Sequence, residues 1–256
     1  MTKYGISELS VIPVRKEPND RSEMITQILF GETFQIIEET IKWSYIKSSF
    51  DDYLGYIDNG SISIIDEKLY NDINTNNQVV TQNLINTILN SNNEPLILTA
   101  GSTLPKFNKA ENTFQISNNR YTLLDADNDK QLNITSISKQ FLNCPYVWGG
   151  KNALGIDCSG FVQVVFKILG EKIPRDTNQQ VNIGNSVDFI SNARPGDIAF
   201  FDDNEGNIIH VGILLNTFEI IHASGKVRID RIDQQGINNL EKKKYTHKLR
   251  VIKRII

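Results

Sequence analysis

Apolar and polar positions alternate in distinct rhythms along the chain, and each rhythm predicts a different kind of structure. Over residues 1–65, short apolar runs recur at 10–14, 25–29, 34–38, 43–47 and 56–57, separated by Pro18-Asn19-Asp20, Gly31-Glu32, Asp51-Asp52 and Asn59-Gly60. Short strands punctuated by such turns predict a small β-barrel. Residues 66–93 are rich in Asn, Asp, Gln and Thr and predict a connector with a helix over 79–89. Strand-like pieces return at 96–100, 114–116 and 121–124, which predicts a second, abbreviated barrel.

From residue 126 the pattern lengthens. A helix is expected over 134–142, and a second one follows the glycine-punctuated stretch Gly149 to Gly155. In that second helix Phe161, Val164, Val165, Ile168 and Leu169 recur at the spacing of one buried face. Asp157 supplies an N-cap, and Gly170 stands where a C′ glycine ends a helix. Four strands are expected downstream, at 197–201, 208–215, 219–224 and 250–255. Helices followed by antiparallel sheet are an α+β arrangement. The divisions expected are therefore 1–65, 66–125 and 126–256.

Composition narrows the function classes. A chain of 256 residues with a formal charge of −3 has no basic surplus for nucleic acid. No run of eighteen apolar residues suggests a membrane span, and the first residues lack the apolar segment of a signal peptide. A cytoplasmic location is the expectation, with Cys144 and Cys158 as reduced thiols.

The candidate chemistry gathers at Asp157-Cys158-Ser159-Gly160. A cysteine in the first helical turn meets unsatisfied N–H groups and the positive end of the dipole, which favour a thiolate and can stabilise an oxyanion. His210 and His222 each interrupt an apolar strand, and a histidine there needs a hydrogen-bond partner. If the two strands form a hairpin, the imidazoles share a face only when the loop has an odd number of residues; a loop of Leu215-Asn216-Thr217 would set them opposite one another. Gly212 would leave room on that face. Cys158 as nucleophile, His210 as base and His222 as the group that orients it is the logic of a thiol hydrolase. A buried inert thiol with two core histidines, or a zinc site of one Cys and two His, are the alternatives; the latter lacks close ligand pairs. His247, in a basic stretch without apolar context, is expected to be exposed.

Six blocks then occur in a familiar order: Pro145-Tyr146-Val147-Trp148-Gly149-Gly150, Asp157-Cys158-Ser159-Gly160-Phe161, Ile173-Pro174-Arg175-Asp176, Arg194-Pro195-Gly196-Asp197, His210-Val211-Gly212 and Ile221-His222-Ala223-Ser224. Together they resemble the NlpC/P60 cysteine peptidases. The stretch Ser22 to Glu32, Trp43 and Asp52-Tyr53-Leu54-Gly55-Tyr56 resemble the bacterial SH3 domain of γ-D-glutamyl-L-diamino acid endopeptidases of the YkfC type, and Pro95 to Ser102 resembles the start of their second SH3-like domain. Tyr56 stands where tryptophan is common, and Cys144 where a small residue is usual.

The resemblance implies a papain-like catalytic domain behind two SH3-like barrels, with Cys158 as nucleophile, His210 as base, His222 as third polar residue and Tyr146 assisting the oxyanion. It further implies that Glu23, Tyr53, Asp157 and Ser159 recognise a peptide with a free N-terminal L-alanine, Tyr56 being the rival of Tyr53. Arg175 is expected to be structural, and Trp148 to pack beneath its loop. The implied activity is cleavage of the γ-D-glutamyl-diamino acid bond in murein-derived peptides during their recycling, by a monomer, without metal or organic cofactor. A wall-acting amidase and a non-catalytic peptide-binding module are the rival readings.

Overall fold

The computed structural model describes residues 2–75, 78–124 and 133–256. It divides into two compact units, Met1–Lys130 with Gly149–Ala153, and Gln131–Trp148 with Leu154–Ile256.

In the first unit, β1 (Lys3–Ile6), β2 (Val11–Arg15), β3 (Met24–Leu29), β4 (Thr33–Glu39), β5 (Trp43–Ser48), β6 (Leu54–Asp58) and β7 (Ser63–Ile65) form one antiparallel sheet in the order β3-β2-β6-β5-β4-β1-β7. The expected strands of this region are all present, with ends shifted by one or two residues. β1 and β7 are too short to announce themselves in the apolar pattern. Ile12, Val14, Ile28, Phe34, Ile46 and Ile57 fill the inside of this sheet.

The connector departs from expectation. Its helix is α1 (Glu67–Thr75), begun by Asp66, whose carboxylate accepts the Leu69 N–H at 2.7 Å. No helix forms over 79–89; β8 (Val79–Val80) and β9 (Ile85–Leu89) occupy that stretch. The reason lies just downstream. Asn90 accepts the N–H groups of Asn92 and Glu94 at 2.9 and 3.0 Å, and the turn so formed pairs β9 with β10 (Pro95–Thr99) as a hairpin. β11 (Thr103–Leu104), β12 (Thr113–Ile116) and β13 (Asn119–Leu123) complete the set, in a sheet of order β10-β9-β13-β12 and a small β11–β8 pair.

One apolar core serves both β-rich segments: Ile6, Phe30, Ile65 and Tyr70 pack with Ile88, Leu98, Phe114 and Tyr121. The same unit takes in β14 (Lys151–Asn152), where the Lys151 N–H and the Asn152 side-chain amide both donate to Gln27 Oε1, at 2.7 and 2.9 Å. The Lys151 ammonium is buried 3.6 Å from the Glu32 carboxylate.

The second unit contains α2 (Ile134–Gln140), β15 (Gly155–Ile156), α3 (Cys158–Ile168), α4 (Thr177–Gln180), β16 (Asn185–Val187), β17 (Ile198–Asp202), β18 (Ile208–Leu214), β19 (Glu219–Ser224), β20 (Lys226–Asp233), β21 (Gly236–Asn239) and β22 (Lys244–Arg254). The strand order is β16-β22-β17-β18-β19-β20-β21, and β21 also pairs with β22, so the six strands β17 to β22 close on themselves. Ala199, Leu214, Ile220, Ile232, Ile237 and Ile252 fill the inner face at one end. β20 and β21 were absent from the sequence expectation, and β22 begins well before residue 250.

α3 packs against β18 and β19. Sequence periodicity predicts one buried face, yet Cys158 through Lys167 are all buried, including Gln163, whose side-chain amide donates to the Ile173 carbonyl at 3.0 Å. The helix is an interior one. It ends as expected: Gly170, at φ +90°, donates to Lys167 O, and Glu171 donates to Phe166 O. Among the described residues, no helix is long and apolar enough to cross a membrane.

Candidate active site

The nucleophile candidate is placed by a helix start. Asp157 has extended backbone and its Oδ1 accepts the Gly160 N–H at 2.7 Å, so Cys158 is the first residue of α3. The Asp157 carboxylate is bound end-on by both terminal nitrogens of Arg175, at 3.0 and 2.5 Å, and Arg175 also donates to Ser159 Oγ at 2.7 Å. All three residues are buried. Arg175 is thus structural, as expected, and its guanidinium meets the charge of the Asp157 cap.

β18 brings the base candidate beside that helix start. The Val211 N–H, next in the chain after His210, bonds the Cys158 sulfur. Burial pushes the Cys158 thiol up to about 12, and the Asp157 carboxylate adds to this; the Val211 N–H, Arg175 and the Ser159 N–H pull the other way. Burial thus favours the thiol over the thiolate, against the pull of the helix N-terminus. A neutral thiol needs a base to take its proton.

His210 and His222 share a face, though by a different register from the one anticipated. The loop is Asn216-Thr217-Phe218, still an odd number, but moved along by one residue, so that Gly212 and not His210 stands opposite His222. The histidines meet on the diagonal, with His210 Nε2 and His222 Nδ1 2.8 Å apart. Gly212 makes this possible. A Cβ there would lie 2.8 Å from His222 Cβ and from Ile220 Cδ1.

Asp230 on β20 continues the line, with its Oδ2 3.2 Å from His222 Nε2. It is fully buried and also accepts from Arg228 Nε at 2.7 Å and from the Leu240 N–H at 3.0 Å. Burial pushes its carboxyl up, but the bonds from His222, Arg228 and Leu240 prevail and hold it at about 2.

These contacts assign the protons. A carboxylate only accepts, so His222 carries its hydrogen on Nε2 and offers a bare Nδ1; His210 then donates from Nε2, leaving its own Nδ1 as the basic nitrogen. Burial keeps both rings neutral, pressing His210 well below its ordinary value and lowering His222 against the pull of Asp230. An unprotonated imidazole beside a neutral thiol can act as a general base.

His247 corrects a sequence expectation. It is half-buried and stacks on His210, with centroids 4.2 Å apart. Tyr146 lies near enough for the charges of Cys158 and Asp157, after burial itself, to raise its hydroxyl, which is therefore a protonated donor. Trp148 is 62% exposed and does not pack beneath its loop. In the first unit, Glu23 precedes β3 and lies 3.7 Å from Lys16 Nζ. Tyr53 is half-buried just ahead of β6, whereas Tyr56 lies within β6 against Tyr45 at 4.7 Å between centroids. Cys144 is buried and unpaired with Cys158; both are free thiols. Among the described residues, no cluster of His, Cys, Asp or Glu is arranged to hold a metal ion.

Asp230, Arg228 and His247 escaped the sequence reading. A signal for Asp230 existed: with a turn at Gly225, residue 228 falls opposite His222 and residue 230 on the same face.

Known proteins resemble this chain in sequence and in fold. The profile described as NlpC/P60 family matches residues 143–250, and that described as bacterial dipeptidyl-peptidase SH3 domain matches residues 14–62. A gamma-D-glutamyl-L-lysine dipeptidyl-peptidase of Bacillus subtilis is 29% identical over 218 residues, covering 77% of this chain and 71% of that protein. Dipeptidyl-peptidase 6 of Lysinibacillus sphaericus is 25% identical over 250 residues, covering 86% and 88%. The crystal structure of an NlpC/P60 family protein from Bacillus cereus shares the fold, with a TM-score of 0.81 at 17% identity and coverage of 98% of this chain and 99% of that one. With a free cysteine opening a helix and a histidine line beside it inside the matched region, the chain is a cysteine peptidase that carries an NlpC/P60 domain behind a bacterial dipeptidyl-peptidase SH3 domain.

Proposed function

We propose that the enzyme hydrolyses the γ-D-glutamyl-diamino acid amide bond of murein-derived peptides with a free N-terminal L-alanine, as a cytoplasmic step of cell-wall peptide recycling. The observation that carries the chemical part is the 2.8 Å contact between His210 Nε2 and His222 Nδ1, backed by Asp230, which leaves His210 Nδ1 to receive a proton. In this reading Nδ1 of His210 takes the Cys158 thiol proton as sulfur attacks the amide carbon. The first-turn N–H groups and the Tyr146 hydroxyl steady the oxyanion. The proton passes to the leaving amine, and water, activated by the same nitrogen, releases the acyl group and restores the thiol.

Support for the substrate class comes from the relatives: the Bacillus subtilis protein is named for a γ-D-glutamyl-L-lysine bond. By the resemblance, Glu23, Tyr53, Asp157 and Ser159 take the free ammonium end. Of the two neighbouring tyrosines, Tyr53 is the one that the resemblance brings to this role.

Mass-spectrometric cleavage assays on L-Ala-γ-D-Glu-L-Lys and L-Ala-γ-D-Glu-meso-diaminopimelate, each with its N-acetylated twin, test the proposal. Cleavage of the free peptides alone, abolished in Cys158→Ala, is the expected result. Equal cleavage of the acetylated twins would remove the ammonium requirement. No cleavage of any of them would sink the substrate assignment.

A further inference from the structure

His247 has a use that the cysteine and histidine line does not exhaust. Its ring lies almost flat on that of His210, with 4.2 Å between centroids and 24° between planes. Thr246 Oγ1 holds its Nδ1 at 2.9 Å, and Phe201 meets both rings, at 5.8 Å from His210 and 5.9 Å from His247.

The backbone is built to bring this ring here. On β22, Ile252 faces inward opposite Ala199, and simple alternation would send residues 250 and 248 inward after it. Instead the register slips between Phe200 and Phe201: Val251 pairs with Phe200, Leu249 pairs with Phe201, and Arg250 is extra. That bulge reverses the alternation. Leu249 and His247 join the inner face with Phe201 and His210, and a second slip, between Ile237 and Asn238, leaves Thr246 extra beside His247. Bulges that re-aim a side chain are characteristic of sheets next to active sites.

We infer that His247 is a positioning residue for the general base: its imidazole, laid on that of His210, fixes the ring angle at which Nε2 reaches His222 and offers an uncharged aromatic face to the imidazolium formed in catalysis. This rests on the reading of His210 as the base. His247 itself takes no proton; that proton moves from Cys158 sulfur to His210 Nδ1 and on to the leaving amine. An aromatic face attracts a neighbouring cation, whereas a second imidazolium would repel it, so His247 must stay neutral to serve. The groups around it are His210 on β18, His222 on β19, Asp230 with Arg228 on β20, and Lys242 ahead of β22. Burial, His222 and Lys242 press His247 down to about 4 against the pull of Asp230.

The test compares His247→Phe, which keeps a flat ring that cannot titrate, with His247→Ala, which removes it, and with His210→Gln. Turnover on the tripeptide and imidazole NMR are both read; the chain has three histidines, so each ring signal is assigned by its own variant. His247→Ala should lower kcat about 3- to 10-fold with KM changed less than about twofold, and should shift or broaden the His210 signals. His247→Phe should return kcat at neutral pH to within about twofold of the parent, with an acid limb less steep by one proton. Unchanged His210 signals and unchanged kcat in His247→Ala, with His210→Gln inactive, would overturn the positioning role alone. His210→Gln cleaving at the parent rate would overturn the reading of the base as well.

Discussion

His210 and His222 are joined ring to ring at 2.8 Å across a diagonal of the β18–β19 hairpin, and the residue that faces His222 directly is Gly212. The missing side chain at 212 is what lets the second imidazole lean toward the first. Gly212→Ala would put a methyl 2.8 Å from His222 Cβ, inside a fully packed strand. We expect it to lower kcat by on the order of tenfold while destabilising the fold by about 1–3 kcal/mol. Full turnover in a folded Gly212→Ala protein, measured at saturating peptide, would count against the diagonal contact as a catalytic feature.

Asp230 sets the proton pattern of the whole line, since only a hydrogen-bond acceptor at that place forces Nε2–H on His222. An amide in its stead can present either a donor or an acceptor. Asp230→Asn should lower kcat by roughly 10- to 100-fold, with little change in KM. Arg228→Gln, which removes a partner of Asp230 and leaves the carboxylate in place, should have the smaller effect. The order reversed would mean that the arginine, and not the carboxylate, supports His222.

Acid should unfold the second unit through its histidines. His210, His222 and His247 are all held below the ordinary histidine value by burial, so the unfolded chain binds protons that the native chain refuses. Their contribution to stability is complete above about pH 6.5 and declines as pH falls, with the share of His247 used up near about pH 4. Asp230 acts lower down: its contribution is present above the unfolded value of about 4 and is lost as pH falls through about 2. Thermal melts between about pH 8 and pH 4 should show Tm falling below pH 6.5, less steeply in His247→Phe. A flat Tm over that interval would contradict the burial argument.

Arg175 and Asp157 are a buried pair with complete hydrogen bonding, and such pairs are intolerant of losing one partner. Arg175→Met leaves the Asp157 carboxylate without its counter-charge and should destabilise the protein by about 3–5 kcal/mol in urea titrations. The double variant Arg175→Met with Asp157→Asn should recover part of that loss. Additive losses would indicate that the two side chains do not interact in solution.

Much of the chemistry was legible from residue order because it uses strong local signals. A cap, a cysteine and an apolar run announce α3, and a histidine inside an apolar strand is conspicuous. What the sequence concealed depends on distant partners. Asp230 sits in Lys226–Asp233, whose charged residues hide a strand that forms only against β19. His247 has exposed neighbours in Tyr245 and Lys248, and its burial comes from rings on β17, β18 and β19. The predicted helix over 79–89 failed for a related reason, since the turn at Asn90 hands Ile85–Leu89 a pairing partner in β10. Neither bulge in β22 leaves a mark in the pattern of residues.

The closure of the second sheet bears on how the enzyme comes to exist in a cell. β22 follows every other strand of its unit in the chain, yet it pairs with both β17 and β21 and carries His247. Until residues 244–254 have left the ribosome, two sheet edges stand open and the ring beneath His210 is missing. Nascent chains that have not yet emerged through β22 should therefore be inert as peptidases and in need of protection from pairing with one another, and activity should arrive in one step, when β22 is seated.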